Sequence, residues 1–564
     1  MRKLNRPLVS LCLAAFWGIY SFSVYTVSTL GAALLAALFF LLIYLYRGKE
    51  MLMLAIIMFF VSFMNTAFYY GFRNQSSIIK IEITKVSNYE IQGELNGRRV
   101  VVSSKEKLNE GYEYTIKGNF KKETNIEKGT VGTVQINSIL GMKQSFTGKI
   151  TGYSDYVYNS FKQVLGEKEA GIISSVAFGN TKGIDKSEKD VLNEYGVVHI
   201  ISVSGFHMSL IYVILESIFG FYISTFVALV YVVFTGAQPA VIRAFLMILV
   251  LKVGKKIRKN YDAISALALS ALILILYKPY NAYDLGFILS YSSTLSILLF
   301  YKKINDKLYR LPNLIRDSVS LTLAAQILSF PIVSLALKNF SLNFILGNLI
   351  LTPFFTIIVV LGNISIVLVR ITIIFRCICG VLHLNLYVIQ GAINVLNIIA
   401  LPFLKSTKAI VCCYFSLSIA IVLYKKGYKQ FGYTPIPLLV YFMVINYSFQ
   451  PKIVFFKERY TKFILVEQGF CKTLVCKKDS YKNNINLEYN EEKYLEGNGG
   501  LKLGKRSLLY DSKLNKIYID EGDRYTRVNW SDNFVENEGI YDIINLESNG
   551  GTLVLGDKII VKSE

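Results

Sequence analysis

The chain is poor in charge and in histidine. Asp, Glu, Lys and Arg make up 18% of its 564 residues, against about 25% in ordinary soluble domains. That shortage excludes an intrinsically disordered chain, which needs high charge and low hydrophobicity. Ten prolines and 39 glycines without a triplet repeat exclude collagen. Seven cysteines in so long a chain exclude a disulfide-built scaffold, and no CxxC pair exists to make a zinc ribbon. No GxxxxGK[ST] loop is present, so the chain carries no P-loop ATPase site of its own. The three histidines are His199, His207 and His383. His199 and His207 are eight residues apart, about 80° around a regular helix, a poor arrangement for two ligands of one ion. We therefore expect no metal, no cofactor and no catalytic residue.

What the chain has is apolar length. It is 53% hydrophobic with mean hydropathy +0.42, and the apolar residues come in blocks. About 20 apolar residues cross a bilayer as a helix. The blocks predict an all-α polytopic membrane bundle with soluble β insertions. Candidate crossings near the start are 8–26, 28–46 and 51–70, so residues 1–72 form an N-terminal helical region. The basic lead MRKLNRPLV reads as a retained anchor, without a convincing cleavage site. Arg2, Lys3 and Arg6, like Arg47 and Lys49, belong in the cytoplasm by the positive-inside rule, which places 73–166 outside. That insertion has short alternating runs at 78–86, 98–104, 112–120 and 130–139, the pattern of a small β-barrel of OB-like size. Residues 167–450 are again apolar, with Lys-rich breaks at 252–259, 302–316 and 425–429 assigned to the inside. The stretch 340–371, with Asn348 and Pro353, predicts a bent or broken helix. A crossing at 434–449 puts 451–564 outside as a β-rich domain. The net charge of +22 lies before that tail, which is charge-balanced. Cys471 and Cys476, in the tail, are candidates for a disulfide; the other cysteines lie in apolar runs as packing residues.

The most informative stretch is HIISVSGFHMSL from 199. It sets His199, Ser202, Ser204, Gly205 and His207 within an apolar run. Polar residues there face a protein interior or a hydrated path, with Gly205 as a point where a helix unwinds; the plainer alternative is that they join helices by hydrogen bonds. In GAQPAVIRA (236–244), Pro239 breaks or starts a helix, and Arg243 lies just inside an apolar run, either snorkelling or partnered. Glu216 is a candidate partner. Asp284, in YKPYNAYDLGFILS, reads as a helix N-cap or as a pore residue. A Ser204–His207 nucleophile is disfavoured because no GxSxG elbow is present.

The stretch EYGVVHIISVSGFHMSLI (194–211) resembles the signature of the ComEC-type competence proteins, bacterial inner-membrane DNA-uptake channels: His199, then Ser204-Gly205, one apolar residue and His207. Other segments are similar in order: SSVAFGN (174–180), with Asn180 where the family has Asp; Gly236, Pro239, Arg243 and Ala244; Lys278-Pro279, Asp284, Gly286-Phe287 and Leu289-Ser290; then Gln326, Pro331, Phe340, Asn348 and Pro353. GYEYTIKGNF (111–120) is like the end of the family's outer OB-like domain. Departures are Asn180, Lys278 for an acidic residue and Ile288 for Gln. Many family members carry a metallo-β-lactamase-like domain with an HxHxDH motif; the tail 451–564 has no His, so the expectation is a form without that nuclease.

The resemblance implies passage of single-stranded DNA through the membrane. The expected path residues are His199, Ser202, Ser204, Gly205, His207, Gly236, Pro239, Arg243, Asp284 and Asn348. Arg98, Arg99, Lys117, Phe120, Lys121 and Lys122 of the basic insertion are expected to hold phosphates and stack bases. The resemblance implies a cytoplasmic helicase and an outer DNA receptor as partners; membrane lipid and further copies of the chain, as a homo-oligomer, are the other candidate partners. Two alternatives stay open: a secondary transporter or exporter of a small anion or cell-wall precursor, and a membrane scaffold that has lost transport.

Overall fold

The computed structural model describes residues 6–399 apart from 75, 88–89, 202, 237–238, 257–261, 338 and 342. It also describes 404–405, 408–425 and most strands between 447 and 563. Contacts divide the chain into two units, residues 1–336 with 341–403, and residues 337–340 with 404–564.

Three apolar helices open the first unit: α1 (Pro7–Tyr25), α2 (Thr29–Arg47) and α3 (Lys49–Tyr70). Their limits follow local chemistry. Pro7 needs no donor in the first turn of α1. The Ser28 hydroxyl accepts from Gly31 N at 3.2 Å and caps α2. The bounds match the three expected crossings to within a residue or two.

A closed barrel follows, from β1 (Ile78–Val86), β2 (Ile91–Leu95), β3 (Arg98–Ser103), β4 (Tyr112–Lys121) and β5 (Thr133–Gln144). Its order is β1-β2-β3-β5-β4, closed by β1 on β4; β3 and β5 run parallel and the other pairs antiparallel. Alternation drives it: Ile79, Ile81 and Ile83 of β1 point inward against Val100, Val102, Tyr114, Ile116 and Val134. Asn96 (φ 49°) and Gly97 (φ 75°) make the two-residue turn between β2 and β3.

The remaining helices of this unit are α4 (Phe146–Leu165), α5 (Glu167–Phe178), α6 (Lys186–Glu194), α7 (Gly205–Phe234), α8 (Pro239–Lys256), α9 (Ala263–Tyr277), α10 (Leu285–Lys307), α11 (Asn313–Leu337), α12 (Phe344–Leu368) and α13 (Thr372–Ile399). Among the described residues eight helices, α1 to α3, α7 and α10 to α13, are long and apolar enough to cross a membrane. The largest core joins α4, α5, α12 and α13 through Phe161, Ile173, Leu351, Phe355, Phe375 and Leu382.

Two helices differ from expectation. Helix α12 runs unbroken through Pro353, with Asn348 half-buried in its second turn. The excess length of 340–371 is taken up by the turn before Phe344, not by a break. Helix α7 folds back at Gly220, whose φ of 71° and ψ of −179° suit glycine. The Tyr212 hydroxyl meets Thr225 Oγ1 at 3.2 Å; in a straight helix residues thirteen apart would lie about 20 Å apart. Met208 and Tyr212 of the first arm share a core with Ala228, Tyr231 and Val232 of the second. The arm 205–219 is about 22 Å long, shorter than a bilayer core of about 30 Å.

The second unit holds α14 (Lys408–Lys425) and two sheets. One has six strands in the order 491–494, 471–476, 461–469, 448–458, 550–555 and 560–563; the other has five, from 499–503 to 542–546. Cys471 and Cys476 are the two ends of one strand. Five steps of about 3.3 Å set their Cα atoms about 16 Å apart, far beyond the ~7 Å a disulfide spans. The expected bridge is therefore corrected. The proposed crossing at 434–449 lies mostly outside the described residues.

Candidate functional site

Ser204, Gly205, His207, Gly236, Pro239, Arg243 and Asp284 fall at or just before the starts of α7, α8 and α10, whereas Asn348 lies in α12. Ser204 is the N-cap of α7, and His207 completes a capping box with it. His207 Nδ1 lies 2.8 Å from the Ser204 backbone N and 2.7 Å from its Oγ. A backbone N–H can only donate, so Nδ1 is the acceptor and the neutral ring carries its proton on Nε2. Nε2 is buried and has no hydrogen-bond partner. Gly205 thus begins a helix instead of interrupting one. His199 lies in a 3₁₀ turn (Val198–Ile200), exposed, with Nδ1 3.1 Å from the Gly196 carbonyl, and is near enough to His207 for their charges to interact. Ser202 lies outside the described residues.

Gly236, exposed and at φ 75°, turns the chain out of α7, and Pro239 opens α8. Arg243 is 3% exposed, and its Nε and Nη1 have no hydrogen-bond partner. Its guanidinium lies 5.8 Å from the Phe287 ring centre. The charge of Asp284 reaches it, but that carboxylate caps α10, accepting from Phe287 N at 2.7 Å. Glu216 does not pair with Arg243: it meets Lys252, one helix over and near the other end of α8. Helix α8 runs alongside the first arm of α7, so Arg243 is level with Gly205 and Lys252 with Glu216. Of the later residues, Gln326 Oε1 accepts from Ser329 Oγ at 3.2 Å, Pro331 lies inside α11, and Phe340 is in a two-residue strand.

The barrel residues divide into two groups. Lys117, Lys121 and Lys122 are exposed along the end of β4, Lys121 with Glu123 at 2.5 Å. Arg98, Arg99 and Phe120 face the helices. Arg98 donates to the Tyr69 carbonyl (3.1 Å) and the Phe68 carbonyl (3.4 Å), the last groups of α3, and lies over the Phe72 ring at 4.6 Å. Arg99 donates to the Lys128 carbonyl (3.2 Å) and stacks on Tyr280 at 4.4 Å. Phe120 packs edge-on against Phe72. These three side chains hold the barrel on the helices.

Sequence reasoning missed that seam's other half. Lys278, between α9 and α10, reaches both Glu94 oxygens at 3.3 Å. Tyr69 donates to the Gly129 carbonyl at 3.1 Å. On the exit side, Ser145 Oγ donates to the Gly111 carbonyl at 2.8 Å as it caps α4. Glu110 beside it is held above the usual carboxylate range by burial, against the pull of Lys182 and Lys85. The aromatic cluster in YKPYNAY was the only available sign of this seam.

Asn180 donates to Ser154 Oγ (3.2 Å) and Asp155 Oδ1 (3.0 Å), and Lys182 bonds the other Asp155 oxygen at 2.6 Å. Among the described residues no group of three or more His, Cys, Asp or Glu is placed to hold a metal ion.

Among the described residues, seven unbroken membrane-length helices, with α7 folded back at Gly220, define a multi-pass membrane protein. The family model described as Competence protein matches residues 176–427. The chain is 24% identical over 239 residues to ComE operon protein 3 of Bacillus subtilis (strain 168), covering 39% of this chain and 29% of that protein. It is 26% identical over 155 residues to an uncharacterized protein of Aquifex aeolicus (strain VF5), covering 26% of this chain and 38% of that one. The matches thus span well under half of either relative. No solved structure matches.

Proposed function

We propose that this chain passes single-stranded DNA across the cytoplasmic membrane during DNA uptake. The observation that carries the reading is the barrel's place directly on the helix ends that hold the competence-family residues. Its closed five-strand order, with β3 parallel to β5 and closure through β1 and β4, supports reading it as OB-like, a common single-strand binder. Arg6 pairs with Asp262 at 3.0 Å where α1 and α9 begin, and the barrel sits where they end. The basic end of α8 lies with Arg6. Positive-inside then supports a barrel facing out.

In mechanism, Lys117, Lys121 and Lys122 attract phosphates at the rim. Below the seam, His207 and Arg243 offer buried donors that relieve the desolvation of a charged backbone. The domain limits are read as 1–72, 73–166, 167–450 and 451–564, the last also outside. A cytoplasmic helicase and an outer DNA receptor are the expected partners, and the chain itself performs no catalysis. The test is entry of labelled DNA into cells lacking their competence channel and complemented with this chain. Restored entry supports the reading; export of a small anion with no DNA entry would replace it with the transporter alternative.

A further inference from the structure

The guanidinium of Arg243 is buried in a protein that spans a membrane, with two nitrogens unpartnered. Among the described residues no carboxylate lies within ion-pair distance of it. Taking such an ion out of water costs several kcal/mol unless hydrogen bonds and opposite charge replace the water. The Phe287 ring supplies part of the compensation, and Asp284 acts from a distance while its oxygen caps α10. The two open nitrogens can only donate, so whatever completes them must accept.

Depth and neighbours narrow the acceptor. Arg243 is four residues into α8, about 6 Å below its start. A Cβ on Gly205 would lie 3.4 Å from the Ala244 Cβ. That contact sets the first turn of α7, with the buried His207 Nε2–H donor, level with Arg243. Both therefore stand one turn below the barrel end of the helices. An exposed cation could serve steering alone; a buried fork with unfilled donors fits a bidentate oxyanion.

We propose that Arg243 is the core of a phosphate-group site one turn below the barrel, with His207 Nε2–H as a second donor at the same depth. The site takes a phosphodiester or phosphomonoester oxygen. This deepens the transport reading and rests on it for the identity of the polymer, while the same chemistry also fits a phospholipid headgroup.

The experiment uses the full chain in nanodiscs of a phosphate-free galactolipid and follows the thermal midpoint. Inorganic phosphate at ten times its dissociation constant should raise Tm by about 1 °C relative to chloride at equal ionic strength. Arg243→Met should remove that rise and, with phosphate absent, melt at or above the wild-type temperature, because an unfilled buried charge has been replaced by an apolar chain. Arg243→Lys, which keeps the charge and loses the fork, should show a smaller rise. The proposal is overturned by no phosphate effect on the wild type, by an equal effect in Arg243→Met, or by a clear drop in that variant's midpoint without phosphate. Should the variant fail to insert, the wild-type titration alone decides. A phosphatidylglycerol disc that reproduces the rise in an Arg243-dependent way assigns the site to a headgroup; a thymidine oligonucleotide that does so assigns it to the polymer. Failed DNA entry with an intact phosphate effect would remove the transport reading and leave this site standing.

Discussion

Arg99 and Arg243 are both arginines beside aromatic rings at the barrel end of the helices, yet their surroundings differ. Arg99 lies on Tyr280 and donates to Lys128 and Tyr280 oxygens. Arg243 lies near Phe287 with two nitrogens unfilled. A satisfied arginine cements two parts of a protein, whereas an unsatisfied buried one holds interaction capacity in reserve. Residue type and an aromatic neighbour do not separate these roles; the inventory of filled donors does.

Substitution can break this contrast. Arg243→Gln should lower DNA entry at least about 100-fold with membrane insertion unchanged, since one buried charged donor is typically worth that much to a bound anion. Arg99→Gln should instead destabilise the fold by about 2 kcal/mol through the lost charged hydrogen bonds and ring contact, and entry should fall only as folded protein falls. Equal behaviour of the two variants in entry and melting would erase the distinction. A third comparison sits at the other end of α8, where Glu216 and Lys252 are half-buried together. Removing Lys252 alone, as Lys252→Met, should destabilise by about 1 kcal/mol. The double change with Glu216→Gln should recover most of it in a melting cycle, a modest figure because both groups retain solvent contact.

The smallest effect concerns Glu110, beside the barrel's exit. Burial raises its folded-state pKa above the unfolded value. The native state thus binds more protons, so the carboxyl's contribution is present below the unfolded pKa and is lost as pH rises through the folded pKa. Glu110→Gln should therefore raise the melting temperature slightly at pH 7 and not at pH 4; a rise of the same size at both would show that charge is not the cause.

Much of this architecture can be read in advance where a single local rule governs. The first three crossings are set by apolar length, and Ser28, Asp262 and Asp284 act as the helix caps their chemistry suggests. Strand β2 escapes because IQGEL is short, half polar and interrupted by Gly93. Pairings escape for a different reason: Glu216 could face any basic residue until helix directions are known, and Lys252 instead of Arg243 proves to be level with it. The Cys471–Cys476 bridge fails likewise, since a gap of four residues closes a loop in a turn but spans a strand end to end. Gly220 gives little warning in hydropathy, because Glu216, Ser217, Ser224 and Thr225 around it are too few to interrupt an otherwise apolar run.

That glycine settles a matter of parity. A stretch from 205 to 234 counted as one span would exchange the sides of every loop after it. Folded back at residue 220, it adds no net crossing, so α8 departs from the side on which α7 began. The lysines closing α8 then share a face with Arg6, and the bookkeeping of inside and outside for the following helices turns on one residue without a side chain.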